Sequence, residues 1–167
     1  MWRIGPRLYL GDYDAGAAAL AGAARLVEPE SVARPFAGVI SLCPVPLFDD
    51  DPRVHAPQDP FTEWLEVPIE DGGAGETEFE LMLEVALPFA TRQLARGNLL
   101  VHCAAGMSRS VSTIAAVLCE RGARPEEAFA QIARRKAAAL GAPPELAQDL
   151  IAPAAEFRAV LARRYGR

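Results

Sequence analysis

Residue types that build metal sites and covalent cross-links are scarce in this 167-residue sequence. It contains three cysteines, Cys43, Cys103 and Cys119, and two histidines, His55 and His102. An odd number of cysteines without close pairs in sequence is not a disulfide framework, and so few dispersed ligands do not form a zinc site. We therefore expect no metal, no cofactor and a reducing, cytoplasmic environment.

Lysine is also nearly absent, since Lys136 is the only one, and the formal net charge is −5. A general nucleic-acid binder would need a basic face to displace counterions from phosphates. No run approaches the ~18 apolar residues of a membrane span, and the N-terminus lacks a basic segment followed by an apolar core. We expect a soluble, unprocessed, cytoplasmic monomer that binds neither nucleic acid nor membranes.

What the sequence does contain is enough for one buried core, with 51% hydrophobic and 23% charged residues. Strand and helix patterns alternate, which predicts a single α/β domain over residues 1–167, with a largely parallel central sheet flanked by helices. Asp12 or Asp14 can cap the first helix, and a Pro- and Asp-rich surface loop is predicted over 44–60. The predicted strands are 7–10, 37–43, 62–69 and 99–101, and the predicted helices run from Asp12 or Asp14 to about 25 and over about 77–94, 109–121, 125–137 and 144–164.

Most candidate catalytic and phosphate-binding residues lie between the predicted strand at 99–101 and the predicted helix at 109–121. Cys103 precedes Arg109 by six residues, and the intervening residues are small or flexible enough to curl, so that backbone N–H groups converge at a helix N-terminus. Such a loop predicts a phosphate site, which Arg109 completes with a bidentate guanidinium. Cations and helix N-termini favour the thiolate form of cysteine, so Cys103 is the candidate nucleophile. The candidate phosphate-binding residues are Ala104, Ala105, Gly106, Met107, Ser108 and Arg109.

In-line attack by Cys103 would form a phosphocysteine, and the departing oxygen would need a proton. Asp71, in a glycine-flanked turn after a predicted strand, is the preferred donor and would later activate water. Glu70 and Asp59 compete for this role. Ser110 can hydrogen-bond the cysteine sulfur and ease its release.

The ten residues from Val101 to Ser110, VHCAAGMSRS, resemble the signature of the dual-specificity phosphatases within the protein tyrosine phosphatase superfamily. Residues 4–11 are similar to the opening strand of its compact members, and residues 67–71 to the segment that ends in the general acid. The resemblance implies that Cys103 is the nucleophile and Arg109 binds phosphate. It also implies that Asp71 is acid and then base, and that Ser110 assists release.

Three further residues near the motif have less certain roles. His102 is interpreted as a buried hydrogen-bonding support of the loop rather than a direct catalyst. Cys119 is interpreted as core packing. Cys43 ends a predicted buried strand and is either a packing residue or, by similarity to tensin-like lipid phosphatases, a redox partner that traps oxidised Cys103 as a disulfide.

The resulting prediction is hydrolysis of phosphate monoesters on protein Tyr, with Ser and Thr as further targets, and a phosphorylated protein or peptide as partner. The uncharged residues between Cys103 and Arg109 weigh against polyphosphoinositides, because related lipid phosphatases place lysines in this loop. A phosphatase of the same superfamily that acts on phosphoinositides or another non-protein substrate, and a catalytically silent phosphopeptide-binding module, remain the alternatives.

Overall fold

The computed structural model of the protein describes residues 1–22, 35–45, 57, 59–73 and 75–166. Three parts of the sequence prediction lie outside these residues. They are the end of the first helix near residue 25, most of the 44–60 loop, and His55.

Five described strands form one sheet: β1 (Trp2–Gly5), β2 (Leu8–Gly11), β3 (Gly38–Ser41), β4 (Glu63–Glu66) and β5 (Leu99–His102). Their order is β1-β2-β5-β3-β4, with β1 antiparallel to β2 and every other pair parallel. The predicted α/β class with a largely parallel sheet is confirmed. The β1–β2 hairpin was not predicted as a pair, and its turn places Arg7 at a φ of 61°.

The described α-helices are α1 (Tyr13–Leu20), α2 (Gly75–Arg96), α3 (Arg109–Glu120), α4 (Pro125–Leu140) and α5 (Ala155–Tyr165), with a 3₁₀ helix over Pro144–Leu150. The Asp12 carboxylate accepts a hydrogen bond from Ala15 N at 2.9 Å, so Asp12 rather than Asp14 caps α1. None of the described helices combines the length and apolarity that a membrane crossing requires.

The single helix predicted over 144–164 is wrong. The chain leaves the 3₁₀ helix after Leu150, runs without regular structure through 151–154 and re-enters a helix at Ala155. Pro153 explains the break, because proline lacks an N–H and disfavours helical geometry at the preceding residue.

The three central strands, β2, β5 and β3, are buried on both faces. In β5, Leu99 and Val101 contact the larger core formed with α2 to α5, whereas Leu100 belongs to a smaller core beneath α1. This alternation follows from the two-residue period of a strand, so His102 lies on the α1 side, like Leu100. The next residue, Cys103, therefore leaves the sheet at the carboxyl end of its central strand.

Candidate active site

The site begins where three parallel strands end side by side. Register pairs His102 of β5 with Gly11 of β2 and with Ser41 of β3. Residues 103–109, here called the Cys103 loop, connect β5 to α3 at this edge. In open α/β sheets this is the edge at which ligands bind.

The carbonyl groups of the Cys103 loop are held by the surrounding scaffold. Ala104 O accepts from Tyr13 N at 3.0 Å, Met107 O from Ala152 N at 2.8 Å, and Ser108 O from Ser112 N at 2.8 Å. Gly106 O accepts from Lys136 Nζ at 2.9 Å. In a planar trans peptide the next N–H points opposite to the carbonyl, so the amides at 105, 107, 108 and 109 face the inside of the loop. This forms a concave anion site of backbone dipoles.

Gly106 permits this close packing. Its φ is +67°, and a Cβ at this position would lie 2.9 Å from Trp2 Cζ3 and 3.0 Å from Gly11 O. A side chain would thus be strained both by the backbone conformation and by its neighbours. Glycine is required here by the turn and by the approach of β1 and β2.

Cys103 and Ser110 meet at the base of the loop. Cys103 is 1% exposed, and its Sγ lies 3.1 Å from Ser110 Oγ in the first turn of α3. A serine hydroxyl can donate to a thiolate, so this contact can stabilise the anionic form of the sulfur.

Arg109 is fixed by two backbone carbonyls. Its Nη1 donates to Leu42 O at 3.2 Å and to Ile69 O at 3.0 Å. Within the described part of the chain, its buried Nε has no hydrogen-bond partner. The guanidinium is therefore oriented by the protein, and Nε is left to donate to a bound anion.

The three acid candidates are now separated in space. Asp71 Oδ2 lies 4.0 Å from Arg109 Nε, and the Asp71 side chain is 45% exposed. Asp59 precedes the amino end of β4, where its carboxylate accepts from Phe61 N at 2.8 Å. Glu70 is exposed and has no recorded contact with Arg109 among the described residues. Of the three, Asp71 is the carboxylate that the structure brings to the Arg109 side chain.

His102 is buried between α1 and the sheet. Trp64 Nε1 donates to Ser41 Oγ at 3.0 Å, and Ser41 Oγ is 2.6 Å from His102 Nε2. The carbonyl Cys103 O can only accept, so its 3.4 Å contact with Nδ1 assigns the ring proton to Nδ1. Nε2 of the neutral ring then accepts from the Ser41 hydroxyl.

Burial lowers the pKa of His102 to about 4, so the ring is neutral at physiological pH. Helix α1 packs closely on the His102 ring at Gly16, since a Cβ on that residue would lie 2.2 Å from His102 Cε1. This close packing holds the ring in position. The arrangement supports the interpretation of His102 as a residue that holds the start of the Cys103 loop.

Cys43 interacts electrostatically with Cys103 and Arg109, whereas Cys119 interacts with Glu126 and Glu120 instead. Burial, together with a smaller effect of the charge of Cys103, raises the pKa of Cys43 to about 11. Burial also raises the pKa of Cys119 to about 11, but Cys119 is ten residues beyond Arg109 on α3, or about 15 Å along the helix.

Sequence reasoning missed Lys136, the Ser41–Trp64 pair and the two carbonyls that hold Arg109. The burial of Lys136 could have been predicted from the sequence, because Lys136 lies at helical spacing from Phe129, Ile132 and Ala133, on the face of α4 that is buried. The other contacts join distant segments and leave no local pattern.

The cradle suits a tetrahedral anion held by amides and a guanidinium. Among the described residues, no three His, Cys, Asp or Glu side chains are grouped as metal ligands would be.

Comparison with known proteins agrees with this layout. Residues 63–139 match the family model of the Rit1 DUSP-like domain. Human DUSP28 superposes with a TM-score of 0.61 at 23% identity, covering 99% of this chain and 96% of that one. The human tyrosine phosphatase-like serine/threonine/tyrosine-interacting protein gives a TM-score of 0.65 at 20% identity, covering 99% and 95%. PTPMT1 in complex with PI(5)P gives 0.60 at 20% identity, covering 98% and 93%.

No curated protein sequence is significantly similar to the chain. At identities of 23% and below, the similarity to these three solved structures is one of fold.

Proposed function

Because the chain has the fold of the dual-specificity phosphatases, we propose that it is a cysteine-dependent phosphatase that acts on phosphate monoesters of protein Tyr, and also of Ser or Thr. One observation carries the proposal: the buried Cys103 thiol and the oriented Arg109 guanidinium flank a loop whose carbonyls are turned outward. A thiol, a cation and inward amides on one cradle suit attack on a bound phosphoryl group.

The first step forms a phosphocysteine. The Cys103 thiolate attacks phosphorus in line, an S–P bond forms, and the P–O bond to the leaving group breaks. Asp71 gives its proton to the departing oxygen, while the loop amides and Arg109 hold the equatorial oxygens. The Asp71 carboxylate, 4.0 Å from Arg109 Nε, borders the place where that oxygen departs.

The second step returns the enzyme to its starting state. The Asp71 carboxylate takes a proton from water, the water oxygen bonds to phosphorus, and the S–P bond breaks. Ser110, 3.1 Å from the sulfur, donates to the thiolate as it leaves. Phosphate is released, and Asp71 is again protonated for the next cycle.

Two other functions fit the same fold. The phosphatase-like interacting protein among the similar structures favours a binding module, and the PTPMT1 complex with PI(5)P favours a phosphoinositide phosphatase. Against the second, no residue between Cys103 and Arg109 is charged. Against the first, the thiol, guanidinium and carboxylate of a working phosphatase are all present.

The decisive experiment measures hydrolysis of an aryl phosphate by the wild type and by Cys103→Ser. We expect activity to fall to background, because a hydroxyl without a general base is a poor nucleophile. Cys119→Ser is the matched control and should retain activity. A Cys103→Ser variant with wild-type activity would exclude the mechanism.

The substrate class is tested on a panel of phosphotyrosine, phosphoserine and phosphothreonine peptides beside phosphoinositides. We expect the highest kcat/KM on phosphotyrosine peptides. Preferential turnover of phosphoinositides would replace the protein substrate by a lipid. Binding of phosphopeptides by an inactive wild type would identify a binding module.

A further inference from the structure

The only lysine of the sequence is buried behind the Cys103 loop. Lys136 is 4% exposed, and its Nζ donates to Gly106 O and to Leu150 O, both at 2.9 Å. An ammonium group is costly to bury unless hydrogen bonds replace its water. The two carbonyls provide that replacement, one in the loop and one at the end of the 3₁₀ helix.

An aromatic ring covers the same ammonium group. Lys136 Nζ lies 4.4 Å from the centroid of the Trp2 ring, a cation–π geometry. Trp2 is also the side chain closest to the place where a Cβ of Gly106 would lie. Strand β1 therefore packs on both the loop glycine and the lysine, and limits the access of water to the charge.

The hydrogen bond to Gly106 O has a consequence inside the cradle. It fixes the Gly106–Met107 peptide unit, and the opposite side of that unit carries the Met107 N–H that faces inward. Lys136 also joins this unit to Leu150, two residues before the Ala152 N–H that holds Met107 O. One side chain thus couples the loop to the segment that follows the 3₁₀ helix.

The lysine is also within electrostatic reach of the nucleophile. Burial lowers the pKa of Lys136, and the charges of Cys103 and Asp12 oppose that effect. In a dry environment such fields are weakly screened. Cys103 interacts electrostatically with Lys136 on α4 and with Cys43 after β3. Arg109 and Glu66 act in turn on Cys43, Asp12 acts on Lys136 and on His102, and Asp71 lies 4.0 Å from Arg109 Nε.

We propose that Lys136 is a positioning residue of the phosphate site, which holds the Gly106–Met107 peptide in its anion-binding orientation and supplies a second positive charge behind the loop. This role deepens the proposed phosphatase function and rests on it. It also answers how a loop without charged residues between Cys103 and Arg109 can bind a dianion.

The first test measures the rate of Cys103 alkylation by iodoacetamide at one neutral pH in Lys136→Met. We expect the rate to fall about tenfold, because a positive charge behind the loop that favours the attacking thiolate is lost. Arg135→Met is the matched control, because Arg135 is exposed, adjacent and equally charged. Lys136→Arg should restore most of the wild-type rate.

A second readout is protection of Cys103 from alkylation by inorganic phosphate. We expect the protecting concentration to rise about tenfold in Lys136→Met and to stay unchanged in Arg135→Met, as one charge interaction with the anion is lost. Neither readout requires turnover, so a failed phosphatase assay does not decide them. A folded Lys136→Met protein with the wild-type alkylation rate and wild-type phosphate protection would overturn the proposal.

The wild type provides a test that does not depend on the stability of a variant. Lysine labelled with carbon-13 at Cε gives one resonance, because the sequence has one lysine. We expect that resonance to shift when inorganic phosphate saturates the site. A resonance that stays fixed at saturating phosphate would contradict the second-cation role.

Discussion

At the scale of single residues, three buried polar side chains of the site have defined hydrogen-bond partners, and only Nε of Arg109 among their buried polar atoms is left without one in the described part of the chain. His102 is neutral and bonded to Ser41, Arg109 is held by two carbonyls, and Lys136 by two more. Cys43 differs, because it is a second buried thiol within electrostatic reach of Cys103. We retain the proposal that it is the redox partner of Cys103.

Peroxide treatment tests this proposal. Peroxide oxidises the Cys103 thiolate to a sulfenic acid with release of hydroxide or water, and the Cys43 sulfur then forms the S–S bond while a second water leaves. Since burial raises the pKa of Cys43 to about 11, its thiolate fraction and the rate of closure should rise with pH through the neutral range.

Intact-mass and peptide analysis should find a Cys43–Cys103 disulfide that a reductant reverses. Cys119→Ser should form it equally well, and Cys43→Ser should accumulate overoxidised Cys103 instead. Overoxidised Cys103 as the sole product in the wild type would exclude the redox role.

At the scale of elements, the loop over residues 67–73, here called the Asp71 loop, joins the sheet to the last helix. It follows β4, and its Ile69 O accepts a hydrogen bond from Arg109 Nη1. Its Gly73 N donates to Glu156 Oε1 on α5 at 2.9 Å. Hydrogen bonds to backbone N–H groups lower the pKa of Glu156, which keeps that side chain an acceptor. Hydrogen bonds therefore hold the loop both before and after Asp71.

We expect Asp71→Asn to slow turnover most for substrates with poor leaving groups, because these depend most on proton donation in the transition state. A loss of about 10²- to 10⁴-fold is the usual contribution of general acid catalysis. The measurement is kcat/KM for aryl phosphates of graded phenol acidity.

Glu70→Gln is the neighbouring control and should leave the leaving-group dependence unchanged. An equal loss on all leaving groups in Asp71→Asn would count against the acid role.

The break between the 3₁₀ helix and α5 is also understandable at this scale. Ala152 N donates to Met107 O and Ala154 N to Ser108 Oγ. A continuous helix would have used those N–H groups internally. Pro153 keeps the segment open, so that its flanking amides hold the Cys103 loop.

At the scale of the whole molecule, the buried histidine makes folding depend on pH. The pKa of His102 is lowered from 6.5 to about 4, so the unfolded chain binds a proton between these values that the folded protein excludes. The stabilising contribution of the neutral His102 ring is therefore fully present above pH 6.5 and is lost as the pH falls towards 4. By linkage, lowering the pH from 7 to 5 should cost about 2 kcal/mol of unfolding free energy.

Urea unfolding of the wild type at pH 7 and pH 5 should show this loss. The His102→Gln variant should lose less unfolding free energy between pH 7 and pH 5 than the wild type, whatever its stability at pH 7. The His55→Gln variant, which changes the other histidine, should lose as much as the wild type. An undiminished pH dependence in His102→Gln would assign the effect to other groups.

Much of this protein was determined by short-range sequence patterns. The run from Leu99 to Glu120 specifies a strand, a loop and a helix, because alternation, small residues and helical periodicity act over a few residues. The pairing of Cys103 with Ser110 is equally local, since both flank one tight turn. The α/β class followed from the same alternation.

Tertiary structure alone decided which distant groups join that loop. It brought Asp71, and not Asp59 or Glu70, to the Arg109 side chain. It also brought Trp2 and Lys136 to Gly106 although 104 and 30 positions separate them from it (106 − 2 and 136 − 106). Distances between such residues depend on strand order, register and helix packing, which sum many weak long-range contacts. For this reason the sequence predicts Cys103 as the nucleophile, and only the fold shows which distant charged groups lie around its loop.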